Sequence, residues 1–510
     1  MTAYDEFAAY VGEINDLLCT INTLTWDART QMPPGGAETR GQQLATLSRL
    51  AQERFTGDQM GRLLNAAEVD VDGEDPDTYR VRAVRTAREA YAVARRIPTA
   101  LVGEIAVRKA TAQEAWIAAK ADNDFSRFAP ELEIMVRLNK ELAAAIGYEG
   151  GHPYDAMMLQ FEPGMTAAKL QSLFAELRAG ILPLLRRITA SGVQPDSAFL
   201  THSYPADKQR AFALAVAQQF GYDLRRGRLD ASPHPFEISF TRQDVRMTTR
   251  YQENFLPGAL FGVFHETGHA LYEQGVDPAL TRSALATDFL GLYAVGGASY
   301  GTHESQSRLW ENLIGRSRPF WDLHFGDLQR LFPDQLAGVT VEQFYRAVNR
   351  VQPSLIRVEA DEVTYNLHIM LRVEIEMGLL DGTIAVNDLP KTWNAKMQEY
   401  LGITPPTDSQ GVLQDIHWST GLVGNFPTYT VGNVMSVQFI AAARRDIGDL
   451  DESLARGNYR PLLAWLTEHI YRHGRAFSPS ELLVRSTGED LHTQPYLDYL
   501  GAKFGDLYGV

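Results

Sequence analysis

Along most of the chain, apolar residues return at steps of three and four, the spacing that gathers them on one face of a helix. The Ala-, Arg- and Glu-rich stretches 86–96, 110–120 and 131–145 carry this pattern. Thr166, just after Pro163 and Gly164, has the place and side chain of an N-cap for a further helix. One region departs from the pattern. Residues 235–240 and 244–248 alternate apolar and polar side chains around Thr241, Arg242 and Gln243, which predicts a small antiparallel hairpin. No repeat of fixed period and no low-complexity linker interrupts the chain, and the Pro/Gly stretches 32–36 and 404–411 are short enough to be loops. The pattern predicts a mainly α protein, read as a single domain over 1–510, with a minor sheet just ahead of a helix at 255–275.

That helix contains His265-Glu266-Thr267-Gly268-His269. Pro257 suits its first turn and Gly275 a C-terminal cap. His265 and His269 are four apart, so both imidazoles leave one face, and that spacing suits two nitrogen ligands of a tetrahedral zinc ion. Glu266 can reach a water that the metal activates. Leu260, Phe261, Phe264, Ala270 and Leu271 would bury the helix and keep the site dry. The bland alternative is a pair of core histidines in an accidental pattern. A third ligand has to come from a second helix, because three residues along one straight helix, with Glu273 as the third here, cannot surround an ion. The helix opened by 301–307 offers Glu304 first and His303 second. Taken alone, Glu304 is better explained as an acid favoured at a helix N-terminus.

A helix is also predicted over 355–377. At about 100° per residue, Arg357, Asp361, Tyr365, His368 and Arg372 share one side, and Glu359, Glu362 and Asn366 lie nearly opposite. The Glu-rich side reads as solvated. The other side reads equally as the lining of a cleft or as a salt-bridge network within a helix that bridges two wet surfaces.

Charge narrows the possible partners. The 48 basic against 63 acidic residues give a net charge of −15, which argues against a nucleic-acid groove or an anionic membrane as the main partner. Cys19 is the only cysteine, so neither an intrachain disulfide nor a Cys-based zinc site is available, in keeping with a reducing cytoplasm. Residues 1–17 carry Asp5, Glu6, Glu13 and Asp16 and lack the order of a signal peptide. The apolar run 434–443 is broken by Ser436 and Gln438 and is too short to span a bilayer. The expectation is a cytoplasmic protein with neither membrane nor nucleic acid as partner.

Several separate motifs stand in a definite order: His234-Pro235-Phe236, Asp244-x-Arg246-x-Thr248, His265-Glu266-x-x-His269, His303-Glu304-Ser305-Gln306, Ile356-Arg357-x-x-Ala360-Asp361 and Gly411-x-x-Gln414-Asp415-x-His417-Trp418. With Trp26-Asp27 and the 32–38 segment near the N-terminus and Pro495-Tyr496-Leu497 near the C-terminus, the chain resembles the carboxypeptidase Taq family of metallocarboxypeptidases over nearly its whole length. The resemblance implies a large helical fold with a deep groove, the helices of roughly 1–200 forming one wall or lid and 201–510 carrying the catalytic motifs. It implies a homodimer that releases C-terminal amino acids from peptides with broad specificity, proline being disfavoured. It assigns the metal ligands to His265, His269 and Glu304 and the acid/base to Glu266, with one divalent ion per chain: zinc first, cobalt or manganese as alternatives. The stretch around 286–295, with Asp288 and Tyr293, is longer than the resemblance leads one to expect, and it is a candidate to alter the cleft or the dimer contact.

On that reading the oxyanion needs a donor besides the metal. Tyr365, His368, His417 and Tyr429 are the candidates. The substrate's free carboxylate needs a cation, and arginine can bind it through two parallel hydrogen bonds. Arg357 comes first for this role and Arg246 second, while His234 and Asp244 either position substrate or brace the hairpin. Two rivals are an endopeptidase or dipeptidase on a similar scaffold, and a non-catalytic binding protein that retains the fold. Against the second stand Glu266 and the ligand set, all present.

Overall fold

The computed structural model describes residues 1–510 and contains twenty α-helices and two small sheets. The mainly α expectation holds. The predicted helices fall largely within Tyr79–Ala94, Thr99–Asp122 and Ala129–Ile146, and Thr166 caps Ala167–Ala190 by accepting from the Lys169 amide. The chain divides into two compact units, each assembled from three separated stretches.

The first unit comprises Met1–Ala94, Pro195–Val348 and Met435–Leu491. Its N-terminal helix, Ala3–Thr30, starts in a capping box between Thr2 and Asp5 and buries Phe7, Val11, Ile14, Leu18 and Ile21. Two asparagines on that buried side tie it to distant loops. Asn22 Nδ2 donates to the carbonyls of Ser239 (2.8 Å) and Ala294 (3.0 Å), and Asn15 Nδ2 donates to Thr287 Oγ1 (2.8 Å). Trp26 packs on Ile238 and Phe240 of the sheet.

The predicted hairpin is present. Strand β2 (Glu237–Thr241) runs antiparallel to β3 (Asp244–Thr249), with an irregularity between Ser239 and Thr241. A strand that the alternation did not reveal, β1 (Gly227–Ala231), adds in parallel to the other edge of β3. Ile238 and Phe240 are buried on the face that meets Trp26, and Val245 and Met247 are buried on the opposite face.

The chain leaves β3 and enters the motif helix, Leu256–Gly275, with Pro257 in its first turn. This helix is apolar and buried nearly all round, as expected of a central core helix. Gly275 is its last helical residue and not a left-handed cap. Tyr471 packs so close that a Cβ at Gly275 would lie 2.7 Å from the Tyr471 Cβ, so this glycine serves close approach. The predicted second helix is Tyr300–Arg308, capped by Ser299 and continued as a π-helical segment, Leu309–Gly315. Gly268 allows it to cross the motif helix in contact: a Cβ there would sit 2.3 Å from the Gln306 carbonyl oxygen. The longer stretch noted above forms a short hairpin of Thr287–Asp288 and Tyr293–Ala294.

The second unit comprises Arg95–Gln194, Asn349–Val434 and His492–Val510. Its central helix, Tyr365–Asp381, packs against Ala129–Ile146, Pro153–Met158 and Leu389–Leu401. The expected helix over 355–377 therefore begins ten residues late. Before Tyr365 only Arg357–Glu359 is helical, as a single 3-10 turn. Asp361 is the cause: its carboxylate accepts from the amides of Gln352 (3.1 Å), Val363 and Thr364 (3.0 Å each), a competing local arrangement that holds the chain out of the helix. The Glu-rich side is not solvated as a whole either. Glu359 is exposed, but Glu362 pairs with Lys503, and Asn366 is fully buried between Tyr496 and Asn433.

Candidate active site

In the first unit, the motif helix and the helix that crosses it bring His265, His269 and Glu304 together. One ligand-type atom from each lies within 4.8 Å of the others. His265 Nε2 and His269 Nε2 are each 3.4 Å from Glu304 Oε2. Both imidazoles are gripped from behind at Nδ1: His265 by Glu311 Oε2 at 2.9 Å and His269 by His303 Nδ1 at 2.6 Å. The Nε2 atoms are thus turned inward, an arrangement that suits ligation of a divalent cation by two histidines and a carboxylate. His303, the second candidate for third ligand, has its ring nitrogens on His269 and on Glu273 Oε1 (2.9 Å).

Glu304, Arg308 and Glu311 follow one another at i, i+4 and i+7 on the crossing helix. Arg308 Nε donates to Glu304 Oε1 (2.7 Å), Ser307 Oγ donates to Glu304 Oε2 (3.0 Å), and Arg316 pairs with Glu311 (3.1 Å). Burial works against ionisation of Glu304. The charges of Arg308 and His265, with hydrogen bonds from both histidines, nonetheless hold its carboxyl well below the usual range. Burial likewise opposes charge on His265, but the charge of Glu304 and hydrogen bonds to Glu304 and Glu311 push it up to about 10. The pocket favours positive charge at this point. Glu266 is buried, and that burial raises its carboxyl to about 7, with the charge of His265 the main opposing influence.

In the second unit Arg357, Tyr365 and Arg372 of the polar stripe converge, although Arg357 lies outside the helix. Arg357 donates to Asp415 Oδ1 through Nε (3.1 Å) and Nη2 (2.8 Å) and to Tyr365 Oη through Nη1 (3.1 Å). Arg372 donates to Asp415 Oδ2 (2.6 Å) and to Gln414 Oε1 (2.7 Å). Two buried guanidiniums share one carboxylate, which leaves an excess positive charge. Burial opposes ionisation of Asp415, yet the two arginines hold its carboxyl far below the usual range. His417 Nε2 lies 3.1 Å from Tyr429 Oη, and burial holds its imidazole down at about 3 against the pull of Asp415. The Arg357 guanidinium lies 5.2 Å from the Tyr429 ring centroid. Neither ring nitrogen of His368 makes a hydrogen bond.

The remaining predicted residues stand apart from these clusters. Arg246 is held on β3 by both oxygens of Asp244 (2.8 and 2.7 Å) and lies over the rings of Trp26 and Phe240, so Asp244 braces the hairpin through it. His234 is exposed in the turn before β2. Asp361 does not join Arg357 but caps its own loop. Sequence reasoning missed Glu311, Arg308 and the role of Asp415. The i, i+4, i+7 spacing from Glu304 could have revealed the first two. Asp415 stands inside a motif already noted, but nothing local marks it as the anion for Arg357.

Similarity to known proteins extends over the whole chain. A family model described as carboxypeptidase Taq (M32) metallopeptidase matches residues 6–504. Carboxypeptidase 1 of Bacillus subtilis is 41% identical over 510 residues, and thermostable carboxypeptidase 1 of Thermus thermophilus is 44% identical over 515 residues, each alignment covering 99% of both chains. The crystal structure of the M32 carboxypeptidase from Deinococcus radiodurans R1 superposes with a TM-score of 0.94 at 43% identity over the full length of both. With its fold, its histidine–carboxylate cluster and these relatives in agreement, the chain belongs to the carboxypeptidase Taq (M32) family and is a metallocarboxypeptidase, a hydrolase of peptides.

Proposed function

We propose that His265, His269 and Glu304 hold one divalent ion, zinc first and cobalt or manganese as alternatives, and that Glu266 is the general base and then acid of peptide hydrolysis. The observation that carries this reading is the inward convergence of His265 and His269 with Glu304 of the crossing helix, a buried Glu266 standing on the same helix as the two histidines. A divalent ion there supplies Lewis-acid polarisation of the scissile carbonyl and a more acidic water. Glu266, buried and near neutrality, takes a proton from the attacking water and returns it to the leaving amine. Glu304 stays ionised because Arg308 holds one of its oxygens, leaving the other toward the histidines.

The substrate's C-terminal carboxylate is met, on this proposal, by the excess positive charge of the Arg357–Asp415–Arg372 cluster. Arg246 is the weaker candidate, since Asp244 balances its single charge, whereas Arg357 and Arg372 share one carboxylate. Among the oxyanion candidates, Tyr365 and Tyr429 come first: Arg357 donates to the oxygen of Tyr365, and His417 pairs with that of Tyr429. Specificity is proposed to be broad with proline disfavoured, since a C-terminal proline presents ring carbon at the nitrogen that Glu266 must protonate. We also propose a cytoplasmic homodimer; no helix is long and apolar enough to cross a membrane.

Mass spectrometry of peptide digests tests the reading. A ladder that shortens one residue at a time from the C-terminus and stops with a chelator is expected, and internal cleavage would overturn it. His265→Ala and His269→Ala should each lose the ion by elemental analysis.

A further inference from the structure

Behind His269 runs a chain of contacts that the reaction does not itself require. Glu273, one turn further along the motif helix, is buried, and the backbone and hydroxyl groups hydrogen-bonded to its carboxylate all donate. The Gly296 amide reaches Oε1 (3.0 Å) and Oε2 (2.9 Å), the Gly297 amide reaches Oε1 (3.2 Å), and Ser239 Oγ reaches Oε2 (3.1 Å). An ionised carboxylate is an acceptor only. His303 Nε2, 2.9 Å from Oε1, must therefore be the nitrogen that carries hydrogen. In a neutral imidazole the other nitrogen is then a bare acceptor. His303 Nδ1 lies 2.6 Å from His269 Nδ1, so the hydrogen between them belongs to His269 Nδ1. That leaves His269 Nε2 with a free lone pair, on the side 3.4 Å from Glu304 Oε2.

The residues around the relay hold its rings closely in place. The His269 and His303 rings are inclined by 16° with centroids 4.6 Å apart. Their facing nitrogens are only 2.6 Å apart, within hydrogen-bonding distance. Tyr272 lies 5.2 Å from the His303 ring at 17°, and its own oxygen accepts from the Ala298 amide (3.2 Å). Gly297 closes the other side: a Cβ there would sit 2.5 Å from His303 Cδ2, so the loop that supplies donors to Glu273 can do so only without a side chain.

We propose that Glu273 and His303 are positioning residues that fix the tautomer of His269, so that its Nε2 is always the unprotonated, ligand-ready nitrogen. His265 has a carboxylate, Glu311 at 2.9 Å, directly behind it, whereas His269 reaches one only through an intervening imidazole. The inference rests on the reading of His265, His269 and Glu304 as the metal site. It concerns affinity for the ion, and loss of a partner behind a metal-binding histidine typically weakens that affinity by about 10–100-fold.

The test is a zinc dissociation constant for the full chain, by competition with a fluorescent chelator. The apoprotein's melting temperature is followed alongside as a measure of folding. His303→Gln keeps the polarity of the relay, because its amide oxygen can accept from His269 while its NH2 donates to Glu273. It should bind zinc less than about tenfold more weakly than wild type, short of the loss expected when the partner is removed. His303→Lys offers only donors and should be weaker by about 10–100-fold, as should His303→Ala. If Ala binds as well as wild type, or if Gln is as weak as Lys, the tautomer relay is overturned. The contrast between Gln and Lys decides the matter even if Ala does not fold. His265→Ala serves as the control. If it too retains zinc, the metal-site reading fails; if it loses zinc while His303→Lys keeps it, only the relay fails.

Discussion

Replacing Asp415 with asparagine removes the one carboxylate shared by Arg357 and Arg372 while keeping its shape. Three charge-assisted hydrogen bonds end on this residue, two from Arg357 and one from Arg372. Asparagine keeps one acceptor oxygen, so the cost is set mainly by the two buried guanidiniums left without a counter-charge. Breaking a buried ion pair by removing one partner costs about 3–5 kcal/mol. Taking ~4 kcal/mol and an unfolding entropy of ~2.1 cal/mol/K per residue, the melting temperature should fall by about 4 °C if all 510 residues unfold together. It should fall by about 9 °C if the second unit, roughly two hundred residues, unfolds on its own. Calorimetry reads both the shift and which case applies. Because the arginines depress the Asp415 carboxyl, its stabilisation is complete above the ordinary carboxylate pKa of about 3.8 and is lost only as pH falls well below it. The loss in Asp415→Asn should therefore be constant from mildly acidic to neutral pH. A shift smaller than about 1 °C would refute the argument, since the cluster would then not depend on this anion.

Glu266→Gln should keep its metal content near wild type while turnover falls at least about a hundredfold, and activity within a few-fold of wild type would place the base elsewhere. Arg357→Ala should weaken cleavage of a free-acid peptide strongly and of its C-terminal amide little, with lysine restoring only part of the difference because it lacks the planar fork. An unchanged ratio of kcat/KM for acid and amide would remove Arg357 from that role. Glu376 is buried against Tyr154 Oη (2.6 Å), Trp418 Nε1 (3.1 Å) and the Gly424 amide (3.1 Å), and burial raises its carboxyl to about 7. Its folded pKa lies above the unfolded one, so its contribution is full below about pH 4.5 and is lost as pH rises through about 7, a decline of about 3 kcal/mol. Glu376→Gln, neutral throughout, should flatten that decline in urea unfolding at about pH 5 and about pH 8, and an undiminished slope would assign it to other groups.

The parts legible in the sequence were those with a short local period. The four-residue spacing of His265 and His269 and the two-residue alternation around Thr241–Gln243 survive folding because helix and strand geometry dictate them directly. The stripe from Arg357 to Arg372 was read as helical because its spacing fits, but Asp361 can satisfy amides by itself and does so. Arg357 and Arg372 still converge, held by Asp415 more than forty positions away, and no periodicity reaches across such a gap. Asn366 and Glu362 looked solvated because polarity was the only cue; their partners Tyr496, Asn433 and Lys503 belong to other stretches of chain. Strand β1 escaped notice because Gly227-Arg228-Leu229-Asp230-Ala231 has little apolar content and pairs through its backbone at an edge.

The contact of Gly268 with Gln306 makes the main chain a ruler for the coordination sphere. His265 and His269 flank the glycine on one helix, and Glu304 stands two residues before Gln306 on the other, so the span between the two ligand sources is fixed where the backbones touch. Neither helix can move inward to suit a smaller ion, and drawing them apart would forfeit packing along a helix buried on nearly every side. Adapting this protein to an ion of another radius therefore falls to side-chain reach. Shortening Glu304 to aspartate withdraws its oxygens by about one carbon–carbon bond, ~1.5 Å, whereas repacking the surrounding core leaves the span unchanged.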